Sequence, residues 1–196
     1  MLKRHPAIEY TPNRRLVVDR GVATTTGITA SMPMMLTLID AIAGREKAEA
    51  VARDLGLVRW DARHRSDAFL LTRPFALTVL GNALAFWNRE QFGIALEPGM
   101  DEASLALVAD AWSRTYRSRA VSLAATDEPV RTRSGLRLFR DRTTTDWPAA
   151  GSRTKAAAPP AQALDETLRA IGERYGAATA DVVAMQLEYP RDGAAP

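Results

Sequence analysis

The sequence contains no cysteine and only two histidines. Without cysteine the chain can form no disulfide bond, no thiolate metal site and no cysteine nucleophile. His5 and His64 stand far apart and lack the HExxH spacing of a zinc site, so we expect both to be solvated side chains. We therefore expect no metal and no cofactor.

Long apolar runs are also missing. None approaches the roughly 18 residues that a membrane-spanning helix requires. The first fifteen residues lack the apolar core of a secretory signal. We therefore expect a cytoplasmic protein that does not enter a membrane.

Neither sign of charge dominates the 196 residues, which carry 26 basic and 23 acidic side chains for a net charge of +3. Basic and acidic residues are interspersed, as on an ordinary solvated surface. No pair of short helices joined by a tight turn indicates a DNA-binding module. We therefore expect DNA contact only through a separate module, if at all.

The stretch from Leu16 to Gly56 carries the densest structural signals. The pattern predicts a strand at Leu16–Val18, a turn at Asp19-Arg20-Gly21 and a second strand at Val22–Thr26. A helix follows Gly27, with Thr29 or Ser31 as its cap and Pro33 in its first turn. Its predicted buried face consists of Met35, Leu38, Ile39 and Ile42. A second helix is predicted between Gly44 and Gly56, with Ala48, Val51, Ala52 and Leu55 facing inward.

A long helix is predicted over Thr72–Phe92, capped by Thr72 with Pro74 in its first turn. One apolar stripe contains Phe75, Val79, Ala83 and Phe86, and the adjacent stripe contains Leu80, Leu84 and Trp87. A face this wide is typical of a helix buried between other elements or at a dimer interface, and both interpretations remain open.

The second half alternates strands and helices. Strands are predicted at Ile94–Leu96 and Ala120–Ala125, separated by a helix capped by Asp101. A hairpin is predicted from residues 129–134 and 136–140 around Ser134-Gly135. Residues 147–163 are typical of a linker, and helix returns over Asp165–Leu187 with an interruption at Gly176.

Several of these segments resemble the ThiJ/PfpI family of the class I glutamine-amidotransferase-like superfamily. VVDRGVATTTGITASMPMMLTLIDAIAGREKAEAVAR resembles the closing segment of such a domain. IALEPGMDEASLALVADAW and AVSLAATDEPVRTRSGLRLFRD resemble its opening strand, helix, second strand and hairpin. The tail VVAMQLEYPRDGAAP resembles the ending of the isonitrile-hydratase branch, which is close to the sensor halves of AraC-type regulators.

This resemblance implies an α/β fold with an incomplete flavodoxin-like, doubly wound sheet and flanking helices. The implied divisions are a closing part at 1–58, a connection at 59–92, an opening part at 93–146, a linker at 147–163 and a terminal helix at 164–190. The Gly-Gly loop and the cysteine elbow of the family are not among these segments. Ser104 stands where branch members often have Asp, and Glu102 is the nearest substitute.

The resemblance, together with the absence of a cysteine nucleophile, implies a non-catalytic, regulatory or small-ligand-sensing protein of the type associated with transcription regulators. A homodimer is a further expectation, which rests on the wide apolar face of the Thr72–Phe92 helix. The alternative is a truncated cysteine-dependent hydrolase or lyase, of isonitrile-hydratase or amidotransferase type, whose catalytic half lies upstream. By the family-type loop and the following helix N-terminus, the expected small-molecule contacts are Thr25, Thr26, Gly27 and Thr29.

Overall fold

A computed structural model describes residues 3–190, which form two compact units. The first unit contains residues 3–53, 58–70 and 187–189. The second contains residues 54–57, 71–186 and 190. Each unit therefore combines segments that are distant in the sequence.

A two-stranded antiparallel hairpin opens the first unit. Strands β1 (Leu16–Asp19) and β2 (Val22–Thr25) pair directly, with Asp19 opposite Val22. The two turn residues, Arg20 and Gly21, both have positive φ, at 47° and 81°. Positive φ at both positions is the geometry of a type I′ turn, whose twist suits a hairpin. The predicted strand–turn–strand is confirmed, with β2 ending at Thr25 rather than Thr26.

The helices of the first unit begin directly after a 3₁₀ turn at Ile28–Ala30. Helix α1 spans Ser31–Ala43, and Gly44 separates it from α2 (Arg45–Asp54), whose last residue belongs to the second unit. The predicted buried face of α1 is wrong, because Met35, Leu38 and Ile42 are exposed. The residues that point inward are Pro33 and Leu36. The helix is thus rotated by about one residue from the face that periodicity favours.

The second unit contains the remaining elements in the following order. They are α3 (Arg73–Leu84), β3 (Glu90–Ala95), α4 (Glu102–Ser113), β4 (Ser118–Ala124), β5 (Val130–Arg131), β6 (Arg137–Leu138), β7 (Arg142–Thr143), β8 (Arg153–Thr154), α5 (Pro160–Tyr175) and α6 (Ala177–Gln186). Strands β5 and β6 form the predicted hairpin, in a shorter version. The other four strands form a parallel sheet in the order β7-β4-β3-β8. The α/β prediction is confirmed at this level.

The two faces of β3 are packed differently. Phe92 points to one face and stacks on Trp112 of α4, with ring centroids 3.8 Å apart. Gly93 points to the opposite face, where Trp147 packs against Val121 and Leu123 of the core. A glycine is required there because a Cβ would lie 2.5 Å from Leu123 Cδ1 and 2.9 Å from Trp147 Cε2.

Two sequence expectations differ from the structure in this unit. The helix predicted to reach Phe92 ends at Leu84, because Glu90–Ala95 pairs with β4 as a strand. Residues 147–163, expected to be a linker, contain the buried Trp147, strand β8 and the start of α5. Tertiary packing outweighs local composition in both cases. Within residues 3–190, no helix combines the length and the apolar character needed to cross a bilayer.

Candidate ligand-binding site

The loop that the sequence singles out lies in the first unit. Thr25 ends β2 and Thr26 follows it, and both side chains are exposed. The Thr26 backbone N–H donates to the Arg15 carbonyl at 3.0 Å. Gly27 is half-buried and precedes the 3₁₀ turn in an ordinary extended conformation. Thr25 and Thr26 are therefore accessible to a ligand.

Thr29 is buried and has an internal role. Its hydroxyl lies 3.0 Å from the Leu187 carbonyl and 3.1 Å from the Glu188 carbonyl. The hydroxyl therefore anchors the segment at 187–189. Ala30 occupies the N-cap position of α1 without a side-chain hydrogen bond, so the predicted capping by Thr29 or Ser31 is wrong.

Glu188 and His64 meet beside this loop. A Cβ on Gly27 would lie 2.7 Å from Glu188 Cβ, so glycine permits this approach. Glu188 Oε2 is buried, has no hydrogen-bond partner among the described residues and lies 3.8 Å from His64 Nε2. An acidic group and an imidazole thus face each other next to Gly27.

The His64 side chain is only 5% exposed and stacks on Phe69, with ring centroids 4.9 Å apart. Burial lowers its pKa below the ordinary value; the Glu188 carboxylate opposes this shift and Arg15 adds to it. The prediction that His64 is a solvated side chain is wrong. Its charged neighbours in the sequence gave no signal of the stacking or of the contact with Glu188.

A second candidate site is a cavity of about 520 Å³ in the second unit. It is lined by residues 95 and 97–101, which follow β3, and by residues 154–160 around the end of β8, together with Asp54 and Arg133. Both strands are parallel, so their carboxyl ends open into the same space. The volume is in the range of small-molecule sites, about 300–1,000 Å³.

The position of this cavity follows from the order of the strands. The chain passes from β3 through α4 to β4 on one side, and later returns to place β8 on the other side of β3. The cavity lies where the two connections diverge. In open α/β sheets, such a switch point at the carboxyl ends of the strands is where ligands commonly bind.

Charged side chains organise one wall of the cavity. Arg133 makes two hydrogen bonds to the Asp54 carboxylate, at 2.6 and 3.0 Å, and lies 3.4 Å from Asp101 Oδ2. The hydrogen bond from Arg133 holds the pKa of Asp54 below its ordinary value. Arg133 therefore joins Asp54 to the N-terminus of α4 within the second unit.

Asp101 also fixes the start of α4. Its Oδ1 accepts from the Ser104 backbone N–H at 2.8 Å, which confirms the predicted cap. The fully buried Ser104 hydroxyl donates to the Ala158 carbonyl at 2.8 Å. Ser104, which stands where the resemblance favours Asp, therefore connects α4 to the loop that lines the opposite wall.

Glu102 lies in the first turn of α4 and does not line the cavity. Hydrogen bonds, first of all from Ser134, lower its pKa. The cavity itself offers backbone groups and charges of both signs, and Thr154 supplies a hydroxyl. Such a lining can bind and orient a polar molecule. Among residues 3–190, no group of three or more acidic, histidine or cysteine side chains is placed to hold a metal ion.

Comparisons of the chain with protein-family models and with curated proteins found no match.

Proposed function

We propose that this chain is a non-catalytic, ligand-sensing protein of ThiJ/PfpI type, and that its small-molecule ligand occupies the cavity between β3 and β8. The observation that carries the proposal is the position of this cavity at the switch point of a parallel sheet. A small ligand bound there would contact the N-cap residue of α4, the β5–β6 hairpin loop and the segment before α5 at once, and could alter their relative positions.

The family assignment is supported by two local elements. The hairpin after β4 and the helix after Pro98-Gly99 stand where the resemblance implies them. The order of the parallel sheet is β7-β4-β3-β8, which reads 3-2-1-4 along the chain, as at the start of the doubly wound order 3-2-1-4-5-6. The flavodoxin-like order 2-1-3-4-5 fits only if the two-residue edge strand β7 is an addition to the sheet. We therefore propose a doubly wound sheet, of flavodoxin-like type if β7 is such an addition.

The ligand site can be tested with a cavity-filling variant. Ala157→Trp places a large side chain on the exposed rim of the cavity, and Ala43→Trp on the exposed end of α1 serves as its control. Thermal unfolding is measured with a panel of amino acids, keto acids, nucleotides and sugar phosphates. We expect at least one compound to raise the midpoint of thermal unfolding of the wild type and of Ala43→Trp. The same compound should leave the midpoint of Ala157→Trp unchanged.

A compound that stabilises all three proteins equally would place the ligand elsewhere and contradict the cavity proposal. The proposal that the protein is non-catalytic is tested separately, because a bound compound should then be recovered chemically unchanged after long incubation. Turnover of the compound would overturn that proposal alone.

The loop with Thr25, Thr26, Gly27 and Thr29 remains a second candidate for the same function. The observation that favours it is the buried Glu188 Oε2 beside Gly27, which has no hydrogen-bond partner among the described residues. The double variant Thr25→Ala/Thr26→Ala removes two exposed hydroxyls without disturbing a packed side chain. If the ligand binds at this loop, the double variant should weaken binding and Ala157→Trp should leave it unchanged.

A further inference from the structure

Helix α3 has two faces of opposite character. Phe75, Val79 and Asn82 lie on the side that is at least partly buried, and Asn82 donates a buried hydrogen bond to Thr179 of α6 at 3.1 Å. On the other side, Leu77, Leu80 and Leu84 are 68%, 53% and 57% exposed. The helix is thus held to its own unit by one face and presents leucines on the other.

The spacing of the exposed leucines is specific. They follow one another at intervals of three and four residues, which is the a and d pattern of a coiled-coil seam. Phe86 and Trp87 come directly after the helix and are also largely exposed. Contiguous apolar surface of this kind marks an interaction site rather than ordinary solvent exposure.

The electrostatics of this leucine seam favour a second copy of the same chain. No charged residue occurs from Pro74 to Asn88. A two-fold axis places identical surfaces opposite each other, so any charge near the axis would face its own copy. An uncharged seam is complementary to itself. A strongly charged partner such as a nucleic acid would find no opposite charge to pair with.

Gly81 lies beside the leucines on the exposed side of α3. A Cβ built on it would meet nothing within 4 Å, so the helix backbone is open to close approach here. Two copies of the helix crossing near this residue could pack their leucines around the contact.

We propose that two copies of this chain associate through the leucine seam of α3, with Gly81 close to the two-fold axis. A helix of 12 residues is about 18 Å long. A contact of this length covers less than the roughly 800 Å² per partner of a standard interface. The association is therefore a weak, reversible dimerisation that increases with protein concentration.

The absence of native cysteine gives a direct test. Gly81→Cys introduces one thiol, which can form only an intermolecular disulfide. The control is Val58→Cys, at a site that is 91% exposed and belongs to the other unit. Under mild oxidation we expect Gly81→Cys to form a covalent dimer at least ten times faster than Val58→Cys. Equal rates for the two variants would overturn the proposal.

Sedimentation provides the second measurement. With increasing concentration, the wild-type mass should rise from 21.4 kDa towards twice that value. Leu80→Glu should remain a monomer with an unchanged circular dichroism spectrum, because it buries a charge on the seam. The control Ile42→Glu alters an equally apolar, exposed residue of α1 and should dimerise like the wild type.

A wild type that stays monomeric at millimolar concentration would contradict the proposal, and so would a Leu80→Glu variant that dimerises normally. If Leu80→Glu fails to fold, the cross-linking rates of the two cysteine variants still decide the question. If Ile42→Glu is the only variant that fails to dimerise, the interface lies on α1, and the assignment to α3 is overturned.

Discussion

Gly93 occupies a position of the sheet that leaves no room for a side chain. An added Cβ would meet the Leu123 and Trp147 side chains at distances well below normal contact. We expect Gly93→Ala to lower the free energy of unfolding by about 1–3 kcal/mol through overpacking. Urea denaturation monitored by the fluorescence of Trp147 and its neighbours measures this change.

Gly172 in α5 is the matched control for Gly93. A Cβ there would lie 3.7 Å from Ala180 Cβ, an ordinary contact. Since glycine in a helix interior costs roughly 0.5–1 kcal/mol relative to alanine, Gly172→Ala should stabilise the protein by about that amount. If both variants shift stability in the same direction, the crowding around Gly93 is not the cause.

His64 links the stability of the first unit to pH. Burial lowers its pKa, with Glu188 acting in the opposite sense and Arg15 in the same sense. The unfolded state therefore binds a proton at the His64 ring more readily than the folded state does. The contribution of His64 to stability is fully present above its unfolded pKa of about 6.5 and is lost as the pH falls through its lower pKa in the folded state. We expect His64→Gln to remove this part of the pH dependence between pH 7 and 5.

An NMR titration of the His64 ring checks the cause of the effect. Carrying it out in a His5→Gln background leaves one imidazole to follow. A pKa at or above 6.5 would mean that Glu188, rather than burial, dominates the environment of the ring, and the expected pH dependence would then reverse.

At the scale of single elements, the β1–β2 turn is open to improvement. Arg20 has a φ of 47°, which a long side chain adopts at some cost, and Asn is the residue preferred at this position of a type I′ turn. Arg20→Asn should stabilise the hairpin by a few tenths to about 1 kcal/mol. Gly21→Ala should destabilise it by about 1 kcal/mol, because its φ is 81°.

Hydrogen exchange of the β1 and β2 amides measures both changes locally. A slower exchange in Arg20→Asn and a faster one in Gly21→Ala are expected, with little change in β3 and β4. Identical exchange in the two variants would show that the turn does not limit the stability of the hairpin.

The elements that local chemistry specifies were predictable from the sequence. Asp19-Arg20-Gly21 predicted the first hairpin, Ser134-Gly135 the second, and Asp101 the start of α4. The end of α3 was not predictable, because the apolar periodicity continues beyond Leu84 to Phe86 and Trp87, which form a separate 3₁₀ turn. The prediction of the buried face of α1 was wrong for a related reason. Met35 and Leu38 are as apolar as the buried Leu36, and only packing distinguishes them.

At the scale of the whole molecule, the sequence indicated alternating helices and strands but not the path of the chain through the sheet. Strand β8 has only two residues and no periodicity, yet it forms one side of the cavity. The cavity is built largely from backbone segments brought together by strand order. Its charged wall joins Arg133 to Asp54, two residues that are 79 positions apart in the sequence. The sequence therefore directed attention to the Thr25–Thr29 loop instead.

Self-association through α3 has a consequence for the stability of the whole molecule. When unfolding also dissociates a dimer, mass action makes the unfolding midpoint depend on protein concentration. Each tenfold increase in protein concentration near the dissociation constant should raise the midpoint of thermal unfolding by about 1–3 °C for a chain of this size. Scanning calorimetry should find this increase in the wild type and in Ile42→Glu, but a constant midpoint in Leu80→Glu. A constant midpoint in all three proteins over two decades of concentration would show that folding and association are independent.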